Sequence, residues 1–478
     1  MKSRREFLRA GLGAGAALAF PAIIPASAIG RSADGRPAPS DRVNVGLIGC
    51  GVEGRTDNLR NFLLCDEAQV ISACDVVTEG PLYGYRSELL GGYETARRDI
   101  NEYYAKKTGK ADYNGCKVFR DFREMMEDKD LDAVIIATPD HWHAPMGVWA
   151  AKKGIHIYGQ KPFANSIGEG RALCNAVKKY GVIFQTGCQG RHAEPYRRLT
   201  AELIRAGRIG EVQRVEVGLP GGISSWGKTP EQCSEKPLPK PPDYVDFNLW
   251  LGPAPDSPFI PALHNPMIWR FNFLYGSGMV TDIGAHVIDG LNWALDMDNS
   301  GPIRIENAKC EIDHKSLYNV ARTYSFDAVF RYHGRELPVS FSTSFKLDGE
   351  DARYSNRFVK FYGEGGKVLL HTHGAVKTNP EELIRQKVTP EEVPGMTPGQ
   401  KHSRHEWNFV RHILHREIPL MSPAEVGQRA ISVAHLANIA FRLDKSTLRW
   451  NPETEHFIGD DEAERLVTNP LRAPWSLV

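Results

Sequence analysis

Nowhere in this sequence do about eighteen apolar residues run together, the length a membrane-spanning helix needs, so no membrane span is expected. An excess of one charge is missing too: 59 Lys and Arg stand against 58 Asp and Glu, a formal net charge of +1. That balance gives no reason to expect nucleic acid or an acidic membrane surface as a partner. Eight cysteines are present, but none forms a C-x-x-C pair, which argues against a zinc or dithiol site. Internal repeats and low-complexity tracts are also lacking. What remains is a globular composition, 41% hydrophobic and 24% charged, in 478 residues, too long for one ordinary domain.

The N-terminus differs from the rest. Arg4-Arg5 precedes a weakly apolar run from Ala10 to Phe20, rich in Gly and Ala, and Ala26-Ser27-Ala28 offers an A-x-A cleavage site. This resembles a twin-arginine export signal, with a short membrane anchor as the plain alternative. Residues 1–28 are therefore expected to be a signal peptide and 29–40 a linker, which places the mature protein in the periplasm or otherwise outside the cytoplasm. Such a protein folds in the reducing cytoplasm before export, so its cysteines should be buried free thiols.

From Val43 onward, short apolar segments alternate with helical ones. Strands are expected at Val43–Ile48, Gln69–Asp75, Lys117–Phe119, Ala133–Ala137, Ile155–Tyr158 and Val182–Thr186. Helices should begin near Glu53, Arg86, Asp121, Ala144 and Gly168. Buried strands separated by helices imply a parallel sheet covered on both faces. After Arg191 the texture changes. Glu211–Val217, Ser325–Tyr332, Leu337–Phe345 and Phe358–Phe361 alternate apolar and polar residues, as a half-exposed, largely antiparallel sheet would. Residues 41–191 and 192–478 are thus expected to form two α/β domains. Near the C-terminus, Ser422-Pro423-Ala424-Glu425 reads as a capping box opening the last long helix.

Four motifs carry chemistry. Gly49, Gly51 and Gly54 follow a strand and open a helix, in the order Gly49-Cys50-Gly51-Val52-Glu53-Gly54. The first permits a tight turn, the second lets backbone approach a pyrophosphate, and the third lets helix pack on strand. Asp75, 21 residues past Gly54, ends the next strand, where a carboxylate accepts from ribose hydroxyls. It would repel a 2′-phosphate, so NAD is expected, with NADP as the alternative. Thr138-Pro139 ends a strand, and His143 follows four residues beyond the proline. A metal site at His141 and His143 is not expected, because no acid or cysteine cluster accompanies them. Lys161-Pro162 lies at the carboxyl edge of the sheet, where an ammonium can stabilise an alkoxide. Asp282 and His286, at i and i+4 across Gly284, share a helix face. An imidazole there is a natural base for a hydroxyl proton. Helix capping and ordinary packing are the plain alternatives for each taken singly.

Together, G-x-G-x-x-G, T-P-x3-H, K-P and D-x-G-x-H resemble the glucose–fructose oxidoreductase, inositol dehydrogenase and rhizopine-catabolism (Gfo/Idh/MocA) superfamily, across nearly all of the chain from Val43. The resemblance implies a Rossmann domain followed by an open-sheet α/β domain that holds substrate and makes oligomer contacts, so a dimer or tetramer is expected. It makes Lys161, Asp282 and His286 the catalytic group, with His286 as general base. Gly49, Gly51, Val52, Glu53, Gly54, Asp75, Thr138, Pro139, His143, Gln160 and Lys161 would hold the cofactor. One departure stands out: the family usually has Glu before Lys-Pro, and Gln160 lacks that charge.

The aromatic-rich stretch before Asp282 (Trp226, Tyr244, Trp250, Trp269, Phe271, Phe273 and Tyr275) offers ring faces for sugar C–H groups, one or two of them at most touching substrate. His264, Asn265, Arg270 and Arg191 offer polar contacts, and Trp269, Arg270 and Arg191, with Asp282 and His286, are the expected substrate residues. The implied activity is oxidoreduction of a sugar, polyol or glycoside hydroxyl. A glycosidase using NAD transiently, and a non-catalytic sugar binder, are the rivals. An exported enzyme meets little free NAD, so a tightly retained cofactor is expected.

Overall fold

The computed structural model describes residues 37–38, 41–80, 90–193, 195–223, 236–264, 267–349, 354–372, 374–396 and 404–478. The expected signal peptide, most of the linker, Trp226, Cys233 and Asn265 lie outside the described residues. Val43 to Val478 pack as one compact unit, built on two sheets.

The first sheet consists of β1 (Val43–Ile48), β2 (Ala68–Cys74), β3 (Lys117–Phe119), β4 (Ala133–Ile136), β5 (His156–Gln160) and β6 (Phe184–Gly187), in the order β3-β2-β1-β4-β5-β6. Every pairing is parallel. All four residues of β4 are buried, as expected where helices cover both faces. The helix Ile167–Tyr180 shows why such segments stop and start where they do. Ser166 accepts from the Glu169 amide at its start, and Gly181, at φ +66°, closes it in the left-handed conformation. Strand order reverses direction beside β1, and in such sheets ligands bind outside the carboxyl ends at that point.

The second sheet is formed by β7 (Arg214–Gly218), β8 (Pro302–Glu311), β9 (Thr323–Tyr332), β10 (Arg335–Ser342), β11 (Phe358–Tyr362), β12 (Val368–Thr372), β13 (Val376–Asn379), β14 (Leu448–Asn451) and β15 (His456–Phe457). Their order is β13-β12-β11-β7-β10-β9-β8-β14-β15. Only β7 with β10 pairs parallel; the other pairings are antiparallel. The fold is therefore α/β, a parallel Rossmann sheet plus a mixed, largely antiparallel one. Phe326 and Phe341 stack at 4.5 Å between neighbouring strands of its buried face.

Two helices tie the sheets together. Ala424–Arg442 packs on both Ile167–Tyr180 and Met279–Ala294. His405–Leu414 returns to the first sheet, where Phe409 and Val410 join Leu47, Phe62 and Tyr158 in one core. A segment from the C-terminal part thus completes the first sheet's core. The expected capping box at Ser422 does not form. Pro423 takes the cap position, the Ser422 hydroxyl is buried without a partner among the described residues, and Glu425 pairs instead with Arg171 and Arg429. Seven cysteines are described, all as free thiols: Cys50, Cys65, Cys74, Cys116, Cys174 and Cys188 are buried and Cys310 is half-buried. No described helix is long and apolar enough to cross a membrane.

Candidate active site

The carboxyl ends of β1, β2, β4 and β5 open onto one cavity of about 370 Å³. Gly49, Gly51, Val52 and Glu53 line it after β1, Asp75 after β2, Thr138, Pro139 and Asp140 after β4, and Gln160 and Lys161 at the end of β5. Opposite them stand Trp269, Arg270 and Asp282, with Trp250 and Met267.

The glycine loop is built for close approach. Gly49 sits at φ +91°, and a Cβ there would lie 2.4 Å from the Ala137 carbonyl oxygen. A Cβ on Gly54 would lie 1.9 Å from the Gly49 carbonyl oxygen, so Gly54 packs behind the loop rather than lining the cavity. Asp75 accepts from the amides of Cys50 at 2.6 Å and Val77 at 2.9 Å. The carboxylate therefore also fixes the glycine loop. Arg120 lines the cavity too and donates to Thr78. The Thr138 hydroxyl is buried with no partner among the described residues. A shaped glycine cradle, an acid at the end of β2 and an unpaired hydroxyl fit a dinucleotide.

His143 does not line the cavity. It is buried, with Nδ1 2.6 Å from the Pro162 carbonyl and Nε2 2.9 Å from the Thr138 carbonyl. Burial pushes it down to about 4, and the neutral ring, with a single N–H, donates to one of these carbonyls and packs against the other. His141 and Trp142 are packing residues that bond the Trp250 carbonyl, each at 3.0 Å. No group of metal-ligating side chains occurs among the described residues.

The charge missing at Gln160 has a counterpart. Gln160 donates to Asn58 at 2.8 Å, and Asn58 donates to the Glu53 carboxylate at 3.1 Å. Burial raises the Glu53 pKa, with Lys161 opposing.

Asp282 occupies the first turn of Met279–Ala294, where free N–H groups favour an anion. It lies 2.5 Å from Lys161 Nζ and 3.2 Å from Arg270 Nε. Burial works against its charge, but Lys161 and Arg270 outweigh burial and hold the carboxyl well below the usual range. Arg270 also covers the Trp269 ring, 4.4 Å from its centroid.

Two of the expected substrate residues also lie elsewhere. Arg191 does not face the cavity. It is buried against Asp289 at 2.9 Å and Asp298 at 2.7 Å, so its guanidinium is committed to a structural cluster. His286, one turn beyond Asp282, lines a second cavity of about 310 Å³ with Thr200, Arg357 and His371. Ile283 borders both cavities. Of the aromatic residues, Trp250 and Trp269 reach the first cavity, whereas Phe271 and Tyr275 are core.

Asp140, Arg120 and Met267 were not among the expected site residues. Asp140 stands inside the Thr138–His143 motif, and its acidic side chain beside a strand end was the available signal. For Arg120 and Met267 the sequence carries no comparable signal.

Comparison with known proteins agrees with this architecture. A levoglucosan dehydrogenase from Pseudarthrobacter phenanthrenivorans is 29% identical over 248 residues, 52% of this chain and 50% of that protein. An alpha-N-acetylgalactosaminidase from Tannerella forsythia is 27% identical over 223 residues, 44% of this chain and 43% of that one. The chain thus spans about half the length of the curated relatives it matches. A solved WlbA dehydrogenase from Bordetella pertussis, in complex with NADH and UDP-GlcNAcA, superposes with a TM-score of 0.55 at 14% identity. That likeness covers 86% of this chain and 99% of that one, and it speaks for the fold. Residues 95–188 match the NAD-binding Rossmann fold of an oxidoreductase family, and residues 199–477, more than half of the chain, match the same family's C-terminal alpha/beta domain. The chain belongs to the Gfo/Idh/MocA oxidoreductase family.

Proposed function

We propose that the protein transfers hydride between a nicotinamide dinucleotide and a hydroxyl of a sugar, polyol or glycoside. The observation that carries this reading is the Lys161–Asp282 pair, 2.5 Å apart, in the cavity onto which the glycine loop opens. The dinucleotide, when bound, supplies the hydride acceptor or donor. Gly49, Gly51, Val52 and Glu53 would hold it at the end of β1, Asp75 at the end of β2, and Thr138, Pro139 and Gln160 at the ends of β4 and β5. Asp75 favours NAD; Arg120, nearby on the same cavity wall, is the residue that would serve NADP.

On the substrate side, Asp282 takes one of the three Lys161 N–H donors. The others remain to meet a substrate oxygen and to stabilise negative charge as it develops there. Trp269 and Arg270 offer an aromatic ring and a guanidinium to a polyhydroxylated ring. The levoglucosan dehydrogenase relative supports a carbohydrate substrate, since that enzyme's name states one.

The alpha-N-acetylgalactosaminidase relative favours a second reading. Transient oxidation of a ring carbon would acidify the adjacent C–H, letting a glycosidic leaving group depart by elimination; water would then add to the enone, and return of hydride to the keto carbon would restore the oxidised dinucleotide. Incubation with free sugars and with aryl glycosides, followed by mass spectrometry, separates the two. A ketosugar supports the dehydrogenase and aglycone release the glycosidase; neither product with any substrate overturns both.

We place the protein outside the cytoplasm, exported folded by the twin-arginine route as a homo-oligomer, dimer or tetramer, with its dinucleotide already bound. Nearly stoichiometric nucleotide released on denaturing an extensively dialysed sample is the expected result. An empty protein that requires added NAD for each turnover overturns this placement.

A further inference from the structure

Among the carboxyls that line the cavity, Asp282 and Asp140 are held in different ways. Asp282 is gripped by Lys161 and Arg270. Asp140, on the turn Asp140–Trp142 after β4, is 2% exposed and lines the same cavity, yet receives no hydrogen bond from any described side chain. Its position is fixed from behind. The His141 amide donates to the Tyr275 carbonyl at 3.2 Å. Asp140 Oδ2 also lies so close to Gly276 that a Cβ there would come within 3.1 Å.

The charged groups around Asp140 come from three elements: Arg270 from the turn Trp269–Phe271, Asp282 from Met279–Ala294, and Lys161 from the end of β5. Glu53 and Asp57 line the same cavity from the glycine-loop side. With Asp282 engaging both cations, a second ionised carboxylate is poorly compensated. Burial pushes the Asp140 carboxyl up to about 8, Arg270 and Lys161 opposing and Asp282 adding to the rise. Two carboxyls whose surroundings drive them apart in this way are the usual mark of a proton-transfer assignment. His286, the base suggested by sequence, opens onto the neighbouring cavity instead.

Resting on the oxidoreductase reading above, we propose that Asp140 takes the substrate's hydroxyl proton and returns it. In the oxidation direction the O–H proton passes to a carboxylate oxygen of Asp140. The carbinol hydride passes to the oxidised dinucleotide and the C=O bond forms. In reduction both transfers reverse. Charge balances, because the positive nicotinamide and the ionised Asp140 become neutral together. The proton on Asp140 is therefore linked to the cofactor's redox state: the cationic form favours the carboxylate, and the neutral form favours the acid.

Equilibrium binding tests this without turnover. The dissociation constants of NAD⁺ and NADH are measured by calorimetry between pH 6.5 and 9.5, for the wild type, Asp140→Asn and His286→Gln. The expected result is that NAD⁺ binds wild type several-fold tighter as pH rises, approaching about tenfold for one unit of coupling. NADH should change less. Asp140→Asn should remove the dependence and His286→Gln should keep it. Should Asp140→Asn not fold, Asp140→Ser is read in the same way. A wild type that binds NAD⁺ without pH dependence overturns the Asp140 assignment alone. So does an unchanged slope in Asp140→Asn, or a slope lost only in His286→Gln. A wild type that binds neither nucleotide overturns the oxidoreductase reading as well.

Discussion

Along the first sheet, the cavity is walled by strand ends whose backbone does much of the work. Gly49 and Gly51 open it, Asp75 holds the Cys50 amide, and His143 sits between the Thr138 and Pro162 carbonyls. Across from that wall, Met279–Ala294 and the turn before it present side-chain charge, Asp282 and Arg270, against a Trp269 ring. Lys161 belongs to the first wall and is held by the second. The contrast separates two jobs. The sheet side accommodates a ligand through shape and amides, and the helix side polarises what lies between. Substitutions on each side should therefore move different observables.

The largest effect is expected behind the helix wall. Arg191 braces that helix through Asp289, and also binds Asp298. Arg191→Met would leave buried carboxylates without their shared cation, a loss of about 3–5 kcal/mol of stability. Chemical denaturation measures it; a near-neutral result would mean the cluster relaxes to admit water. Next comes Lys161→Ala, where loss of the bridging cation should lower turnover about a hundredfold or more. NAD affinity, read by calorimetry, should stay close to wild type, and a large loss of binding would erase the division between the walls. Asp75→Ser should be milder, shifting preference from NAD toward NADP by about tenfold, or one unit of Coulombic discrimination. Competition binding of the two nucleotides decides it, with saturated turnover unchanged.

The smallest effect concerns what both sides share. His141, His143, His156, His264 and His435 are each pushed down to about 4 by burial and are neutral in the fold. Between about pH 6.5 and 4 the unfolded chain binds protons that these rings refuse, so they withdraw stability as pH falls. Asp140 and Glu169, raised to about 8 and about 7, and Glu53 and Glu406, raised by burial, act in the opposite sense and are fewer. The melting temperature should therefore decline by a few degrees from pH 7 to pH 5. A rise would show that the carboxyls dominate.

The sheet side was the more legible in sequence. Strands buried on both faces read as short apolar runs, and the glycine spacing with Asp75 marked where they end. The pairing of β7 with β10 and β11 joins segments more than a hundred residues apart, and alternation within each strand says nothing about partners. On the helix side, the i, i+4 spacing correctly put Asp282 and His286 on neighbouring turns. It could not show that Asp282 lines one cavity and His286 the next, with Ile283 bordering both. Arg191 looked like a cleft residue because it follows a strand end; its true partners lie 98 and 107 residues away. Ser422 had the letters of a capping box, but Arg171 and Arg429 claimed its glutamate.

The link from Gln160 through Asn58 to Glu53 bears on how this protein can change over descent. Asn58 has one end that accepts and one that donates, so the chain has a direction: an amide at 160, a carboxyl at 53. Gln160→Glu alone would set oxygen against oxygen at the first contact. Turning the Asn58 amide to relieve that clash would only move it to the second. The two positions are thus coupled by the polarity of a single side chain, and neither is free to drift by itself. Lineages that carry an acid at the position of Gln160 should lack one at the position of Glu53, and a passage between the two states should run through a paired exchange.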